Sequence, residues 1–288
     1  MGSTASLPLA PPSRPLHRPA HPVRFVTAAG LFDGHDAAIS IVRRLLQSQG
    51  AEVVHLGHNR SVEEVVTAAV EEDVQAVAVS SYQGGHLEYF TYLLERLAAR
   101  GRPGIKVYGG GGGVIVPAEV EQLHAAGVAR IFTPEDGQRL GLEAMVNTMI
   151  ADCDELPPLP EGDLAGLSVG EHGALARVIT AIEYDRLDPG AGAAIEQAAA
   201  ANPAPALGVT GTGGSGKSSL VDELVRRFRL DQQDKLRIAV LAVDPTRRKS
   251  GGALLGDRIR MNSIEGERVY MRSLATRGAK SELPHALP

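Results

Sequence analysis

Between residues 23 and 133, five short runs of apolar residues alternate with stretches of helical periodicity. The runs are Val23–Ala29, Glu52–Gly57, Ala76–Ser81, Ile105–Tyr108 and Arg130–Thr133. Each is almost continuously apolar instead of alternating, the pattern of a parallel strand covered on both faces. Helices are predicted over Asp36–Gln49, Val62–Glu72, Leu87–Arg100, Ala118–Ala126 and Gln138–Ala151. Ser61 followed by Glu64 has the spacing of a capping box, and Pro117 stands where a first helical turn tolerates it. Five βα units of this kind predict an α/β fold, a flavodoxin-like doubly wound parallel sheet. Its ligand crevice then lies beyond the carboxyl ends of the strands, at the switch point.

The unusual loops all fall on that edge. Gly30-Leu31-Phe32-Asp33-Gly34-His35-Asp36 follows the first run, Ser80-Ser81-Tyr82-Gln83-Gly84-Gly85-His86 the third, and five glycines, Gly109 to Gly113, the fourth. A phosphate site needs one glycine-rich turn, whereas three small-residue loops on one rim suit a flat, bulky ligand lying close to the backbone. His35 is central to the rim, and Asp33 can hydrogen-bond its ring. Metal-ligating histidines commonly give their second nitrogen to such a carboxylate. A phosphoacceptor or flavin-binding domain with an incidental His35 is the alternative at this point. His86 reads as a rim residue, and His55, His58 and His124 as packing or surface residues.

Leu156-Pro157-Pro158-Leu159-Pro160 closes this region, and helices are predicted over Asp163–Ile182 and Gly190–Ala201, the latter alanine-rich. Ala206–Thr210 then reads as a short buried strand running into Gly211-Thr212-Gly213-Gly214-Ser215-Gly216-Lys217-Ser218-Ser219 and a helix, Ser219–Arg229. This is the phosphate-binding loop G-x-x-x-x-G-K-[ST]. Backbone N–H groups from Gly211 to Ser219 would wrap the phosphates, Lys217 would reach the β/γ-oxygens, and the Ser218 hydroxyl would bind Mg²⁺. The next strand, Arg237–Val243, delivers Asp244 beside that loop, well placed for the metal. Neither the Asp-x-x-Gly element that would follow the next core strand of this domain nor the Asn-Lys-x-Asp guanine reader occurs between the phosphate loop and residue 288, so the nucleotide domain reads as incomplete and a slow GTPase is expected.

Composition excludes several classes. Net charge is −5, which argues against a nucleic-acid binder. A single cysteine, Cys153, excludes an intrachain disulfide and a Cys-rich zinc site. No apolar run approaches ~18 residues, so no membrane helix is expected. The first 22 residues hold six of the eighteen prolines and no acidic residue, and read as a disordered tail of a cytoplasmic protein.

Asp33-x-His35, the Ser80-x-Tyr82 turn and the glycine run resemble the cobalamin-binding domain of B12-dependent mutases, whose motifs are Asp-x-His-x-x-Gly, Ser-x-Leu and Gly-Gly. Ala38 stands in place of the last glycine of the first motif, and Tyr82 in place of leucine. The resemblance implies that His35 becomes the lower axial ligand of cobalt, with Asp33 behind it. It further implies that Gly34, Ser80, Tyr82, Gly109 and Gly110 line the cofactor site. Residues 242–261 resemble the switch region of the GTPase chaperones that service these mutases, which implies that Asp244 and Asp257 serve Mg²⁺ and that Arg260 lies near the nucleotide. The order of the parts resembles the fused isobutyryl-CoA mutases: a tail to residue 21, a cobalamin-binding domain over 22–150, a helical linker over 151–203 and a GTPase domain from 204. That family implies adenosylcobalamin, Mg²⁺ and GTP, radical interconversion of isobutyryl-CoA and n-butyryl-CoA in a barrel domain outside this sequence, and a homodimer. A non-enzymatic cobalamin carrier with a nucleotide switch, or a fused mutase for another branched acyl-CoA, are the alternatives.

Overall fold

The computed structural model describes residues 15–157, 167, 170–277 and 284. Strands β1 (Arg24–Gly30), β2 (Glu52–Arg60), β3 (Ala76–Ser80), β4 (Lys106–Gly110) and β5 (Arg130–Phe132) form a parallel sheet in the order β5-β4-β3-β1-β2. Successive residues of each strand point to opposite faces, and both faces are buried. Phe25, Val53, Ala78 and Tyr108 pack with Ile39 and Leu46 of α1 (Asp36–Ser48) and with Met149 and Ile150 of α6 (Leu142–Cys153). Val26, Val54, Val77 and Val107 pack on the other side with α2 (Val62–Glu71), α3 (His86–Ala99) and α4 (Pro117–Ala126). Burial on two faces is why the runs are continuously apolar. The Ser61–Glu64 capping box opens α2, and Pro117 is the first residue of α4.

Three expectations are corrected. The predicted helix over 138–151 is two helices, α5 (Pro134–Leu140) and α6, because Gly141 between them takes φ 76°, which ends one helix and re-aims the next. Residues 15–21, expected to belong to a disordered tail, are instead clasped to the end of α6. Asp154 accepts hydrogen bonds from Ala20 N–H (2.8 Å) and His21 N–H (2.9 Å) and pairs with the rings of His17 (2.7 Å) and His21 (3.1 Å). Burial would raise the Asp154 carboxyl, but those donors outweigh it and hold it down at about 2. In the connector, α7 (His172–Glu183) and α8 (Pro189–Ala201) are present, while the first part of the helix expected over 163–182 lies outside the described residues. Finally, residues 206–210 form no strand. The segment is extended and exposed, with Leu207 at 71 %, and it has no ladder partner among the described residues. Its two β-branched residues, Val209 and Thr210, preceded by Pro205 and Gly208, cannot hold a strand without neighbours.

The C-terminal half, which carries the expected phosphate loop, contributes α9 (Lys217–Asp231), β6 (Ile238–Asp244), β7 (Ala253–Leu255), a 3-10 turn at Arg258–Arg260 and β8 (Val269–Ala275). Strands β6 and β8 pair in parallel with each other. Strand β7 departs from them and adds a sixth parallel strand to the first sheet, pairing Glu52–Val54 of β2 with Ala253–Leu255. Beneath it the halves are joined by buried charge. Arg24 pairs with Glu52 (2.8 Å), Arg277 with Glu52 (2.6 Å), Arg272 with Glu183 (2.5 Å) and Arg258 with Glu71 (2.8 Å). Glu72 accepts from Ser273 N–H and Oγ and from Arg258. Four arginines face four glutamates, so the cluster is charge-balanced. Such a cluster adds little net stability, because desolvation offsets attraction, but losing one member strands its partner.

Candidate cofactor and nucleotide sites

The turn after β1 is closed by Asp33 N–H donating to Gly30 O (3.1 Å), which buries the Asp33 side chain completely. Its Oδ1 accepts the His35 backbone N–H (2.8 Å) and meets His35 Nδ1 (2.8 Å). Its Oδ2 accepts the Tyr82 N–H (2.6 Å). One carboxylate therefore fixes the loop after β1 against the loop after β3. With Nδ1 carrying the proton toward Asp33, Nε2 of His35 keeps its lone pair, and the ring is 65 % exposed above the sheet edge. Tyr82 leans on that ring with centroids 5.3 Å apart. A Cβ at Gly34 would meet nothing within 4 Å, so the approach beside His35 is open.

Ser80 ends β3, opposite Gly110 of β4. Its hydroxyl is buried with no hydrogen-bond partner among the described residues. An unpaired buried hydroxyl costs about 1–3 kcal/mol, and it is the donor-acceptor a ligand inserted at this edge would satisfy. Gly109 has a packing reason of its own, since a Cβ there would stand 2.5 Å from Phe90 Cζ. Gly110 is close to the Phe132 carbonyl, 3.3 Å from where its Cβ would be. His86 is buried and pairs with Glu119 (2.9 Å), so it braces the rim without facing outward. His55 lies in the sheet against Thr27 (2.9 Å), where burial lowers its pKa to about 4, and His124 accepts the Ile131 N–H (3.0 Å). One residue gave no sequence signal. Asn59, at the end of β2, holds the His35 loop from the side opposite Tyr82, giving its N–H to Asp33 O (3.2 Å) and accepting Phe32 N–H on its side chain (2.8 Å).

On the nucleotide side, the residues from Gly211 to Gly216 lead into α9, whose N-cap Gly216 takes φ 87°. Gly214 takes φ 78°, while Ser215 and Ser219 stand exposed. Lys217 folds back, its Nζ donating to Thr212 O (2.9 Å). Ser218 Oγ donates to Asp257 Oδ1 (2.7 Å), and Asp244 accepts the Gly256 N–H (3.2 Å). Burial first, and the facing Asp257 second, push the Asp244 carboxyl up to about 6, with Arg260 opposing from nearby. Two carboxylates and a hydroxyl thus converge beside the loop, an all-oxygen set that suits a hard divalent cation. No group of three or more His, Cys, Asp or Glu fit for a metal occurs among the described residues, so this reading rests on the mixed set.

Known proteins bear on both regions. A family model described as B12 binding domain matches residues 23–139, and one described as Methylmalonyl Co-A mutase-associated GTPase MeaB matches residues 175–286. The fused isobutyryl-CoA mutase of Nocardia farcinica is 65 % identical over 270 residues, covering 94 % of this chain and 25 % of its own length. That of Cupriavidus metallidurans is 60 % identical over 279 residues, covering 96 % of this chain and 26 % of its own length. The chain thus spans about a quarter of the length of these relatives. The 2-hydroxyisobutanoyl-CoA mutase small subunit of Aquincola tertiaricarbonis is 37 % identical over 111 residues, covering 38 % of this chain and 80 % of its own length.

Proposed function

The chain belongs to the fused isobutyryl-CoA mutase family, and from that premise we propose that it is the cofactor- and nucleotide-binding portion of an adenosylcobalamin-dependent acyl-CoA mutase carrying a GTP-hydrolysing chaperone segment. The whole protein would interconvert isobutyryl-CoA and n-butyryl-CoA, as a cytoplasmic homodimer, in a substrate barrel beyond these residues. No helix among the described residues is long and apolar enough to cross a membrane. The observation that carries the reading is the His35–Asp33–Tyr82 linkage at the sheet edge, with a Ser80 hydroxyl nearby that has no partner among the described residues.

The residues fit the group. His35 would present Nε2 to cobalt, while Asp33, 2.8 Å from Nδ1, would hold the ring in that orientation. Ser80 would take a polar atom of the nucleotide tail, with Gly109 and Gly110 keeping the edge free of side chains. When bound, adenosylcobalamin supplies a carbon radical by homolysis of its cobalt–carbon bond. The chain's own contribution would be to hold the His35 ring in place through Asp33 and Tyr82. Lys217 and Ser218, with Asp244 and Asp257, would hold the phosphates and Mg²⁺ of GTP, and Arg260 would stand near their charge.

The test is ligation. Cob(II)alamin bound to the full chain should show nitrogen splitting from one histidine in its electron spin resonance spectrum. His35→Ala should abolish it, and Asp33→Asn should weaken binding ~10–100-fold, the usual range for the partner of a metal ligand. Unchanged splitting in His35→Ala would overturn the assignment.

A further inference from the structure

Pairing between β1 and β2 is regular from Arg24↔Glu52 to Thr27↔His55 and then breaks twice, at Ala28↔Gly57 and Gly30↔Arg60. The break is a bulge, and bulges re-aim a strand and are common beside functional sites. It places Gly57 at φ 85° and Asn59 at φ 56°. Asparagine visits this left-handed region more readily than other residues with a side chain. Turned this way, Asn59 uses both its backbone N–H and its side-chain oxygen on the His35 loop: the first on Asp33 O, the second on Phe32 N–H. Phe32 is itself at φ 63°, a conformation costing about 1–2 kcal/mol that persists only where contacts enforce it. Asn59 supplies one of them.

The bulge is gripped from the other flank by the nucleotide-binding half. A Cβ on Gly57 would come within 2.8 Å of Ile259 Cδ1, so the absence of a side chain there lets Ile259 sit on the strand. Ile259 is not loosely placed. Arg258 before it is buried in ion pairs with Glu71 and Glu72 and donates to Met271 O (2.6 Å). Asp257, one residue earlier, accepts the Ser218 hydroxyl.

We infer that Asn59 is a positioning residue for His35 and that Ile259, seated on the Gly57 bulge, is the contact by which the nucleotide-binding segment bears on it. The inference rests on reading His35 as the cobalt ligand. Asn59 touches neither the ring nor the cofactor's metal; it sets where Asp33 stands, and Asp33 sets the ring.

Cob(II)alamin titrated into the full chain tests this, with affinity and nitrogen splitting as readouts. Asn59→Gly keeps the left-handed backbone and the N–H but deletes the side-chain acceptor. It should weaken binding ~10-fold and leave part of the bound cofactor without histidine splitting. Asn59→Asp restores an acceptor and should return both readouts close to those of the parent chain. Ile259→Ala leaves every hydrogen bond of the loop in place and should lose ~3-fold in affinity with the same partial loss of splitting. Melting temperatures of all three should stay within a few degrees of the parent, separating positioning from unfolding. Parent-like affinity and splitting in Asn59→Gly would overturn the positioning role, and in Ile259→Ala the contact across the halves. A parent chain that binds with no nitrogen splitting would instead overturn the reading of His35.

Discussion

The loop that carries His35 and the loop that carries Lys217 have similar sequence logic, each a glycine-containing turn between an apolar run and a helix, yet they stand in opposite structural circumstances. The first leaves a strand buried over all seven residues and is pinned by Asp33 and Asn59. The second leaves a segment with Leu207 exposed and no ladder partner among the described residues. The difference is one of neighbours. Strand β1 has β2 and β3 on its two edges and helices on both faces, whereas residues 206–210 have only their own propensity. A loop is as well defined as the strand that delivers it.

Substitutions can break or sharpen that contrast. The largest effect is expected where the two halves meet. Glu183→Ala strands Arg272, which is 1 % exposed, and should cost about 3–5 kcal/mol of stability in urea unfolding. A smaller loss would mean that the halves unfold separately. Next comes the strand comparison itself. Phe25→Ala empties a fully buried position and should cost about 3–4 kcal/mol, while Leu207→Ala should stay within about 0.5 kcal/mol. Similar costs at both positions would show that residues 206–210 are packed in solution.

The smallest effect concerns the clasp on residues 15–21. The Asp154 carboxyl lies below its ordinary value, at about 2, so its contribution is fully present above about pH 4 and is lost as pH falls toward 2. Allowing for solvent screening, the loss should be about 1 kcal/mol. Unfolding compared at pH 5 and pH 3 in the parent chain and in Asp154→Asn would show it, the difference shrinking in the variant by that amount.

Much of the cofactor half was legible because its signals are local. Continuous apolar runs gave the strands to within a residue or three at each end, the Ser61–Glu64 spacing gave the helix cap, and Pro117 marked the start of α4. The Asp33-x-His35 spacing sufficed to suggest their contact, since two residues in one turn have nowhere else to go. What stayed hidden depends on distant partners. Glu71, Glu72 and Glu183 look like solvated helix faces until arginines 89 to 187 residues away arrive to cover them. Asn59 acts through a bulge, and a bulge is a property of two strands together. Strand β7 is only three residues long, too short to carry a pattern. Ala206–Thr210 was overread for the converse reason, its local pattern being sufficient and its neighbours missing.

The addition of β7 to β2 bears on how this protein can be cut. Dissecting the cofactor half away from the nucleotide half would strip the outer side of Glu52–Val54, uncovering N–H and C=O groups along an apolar strand. Glu52 would lose Arg277 at the same stroke. A fragment ending before residue 200 is therefore expected to recruit a second copy, or a foreign strand, to that margin. Dimers or aggregates of such a fragment would report an edge created by the scissors and say nothing of how the intact protein assembles.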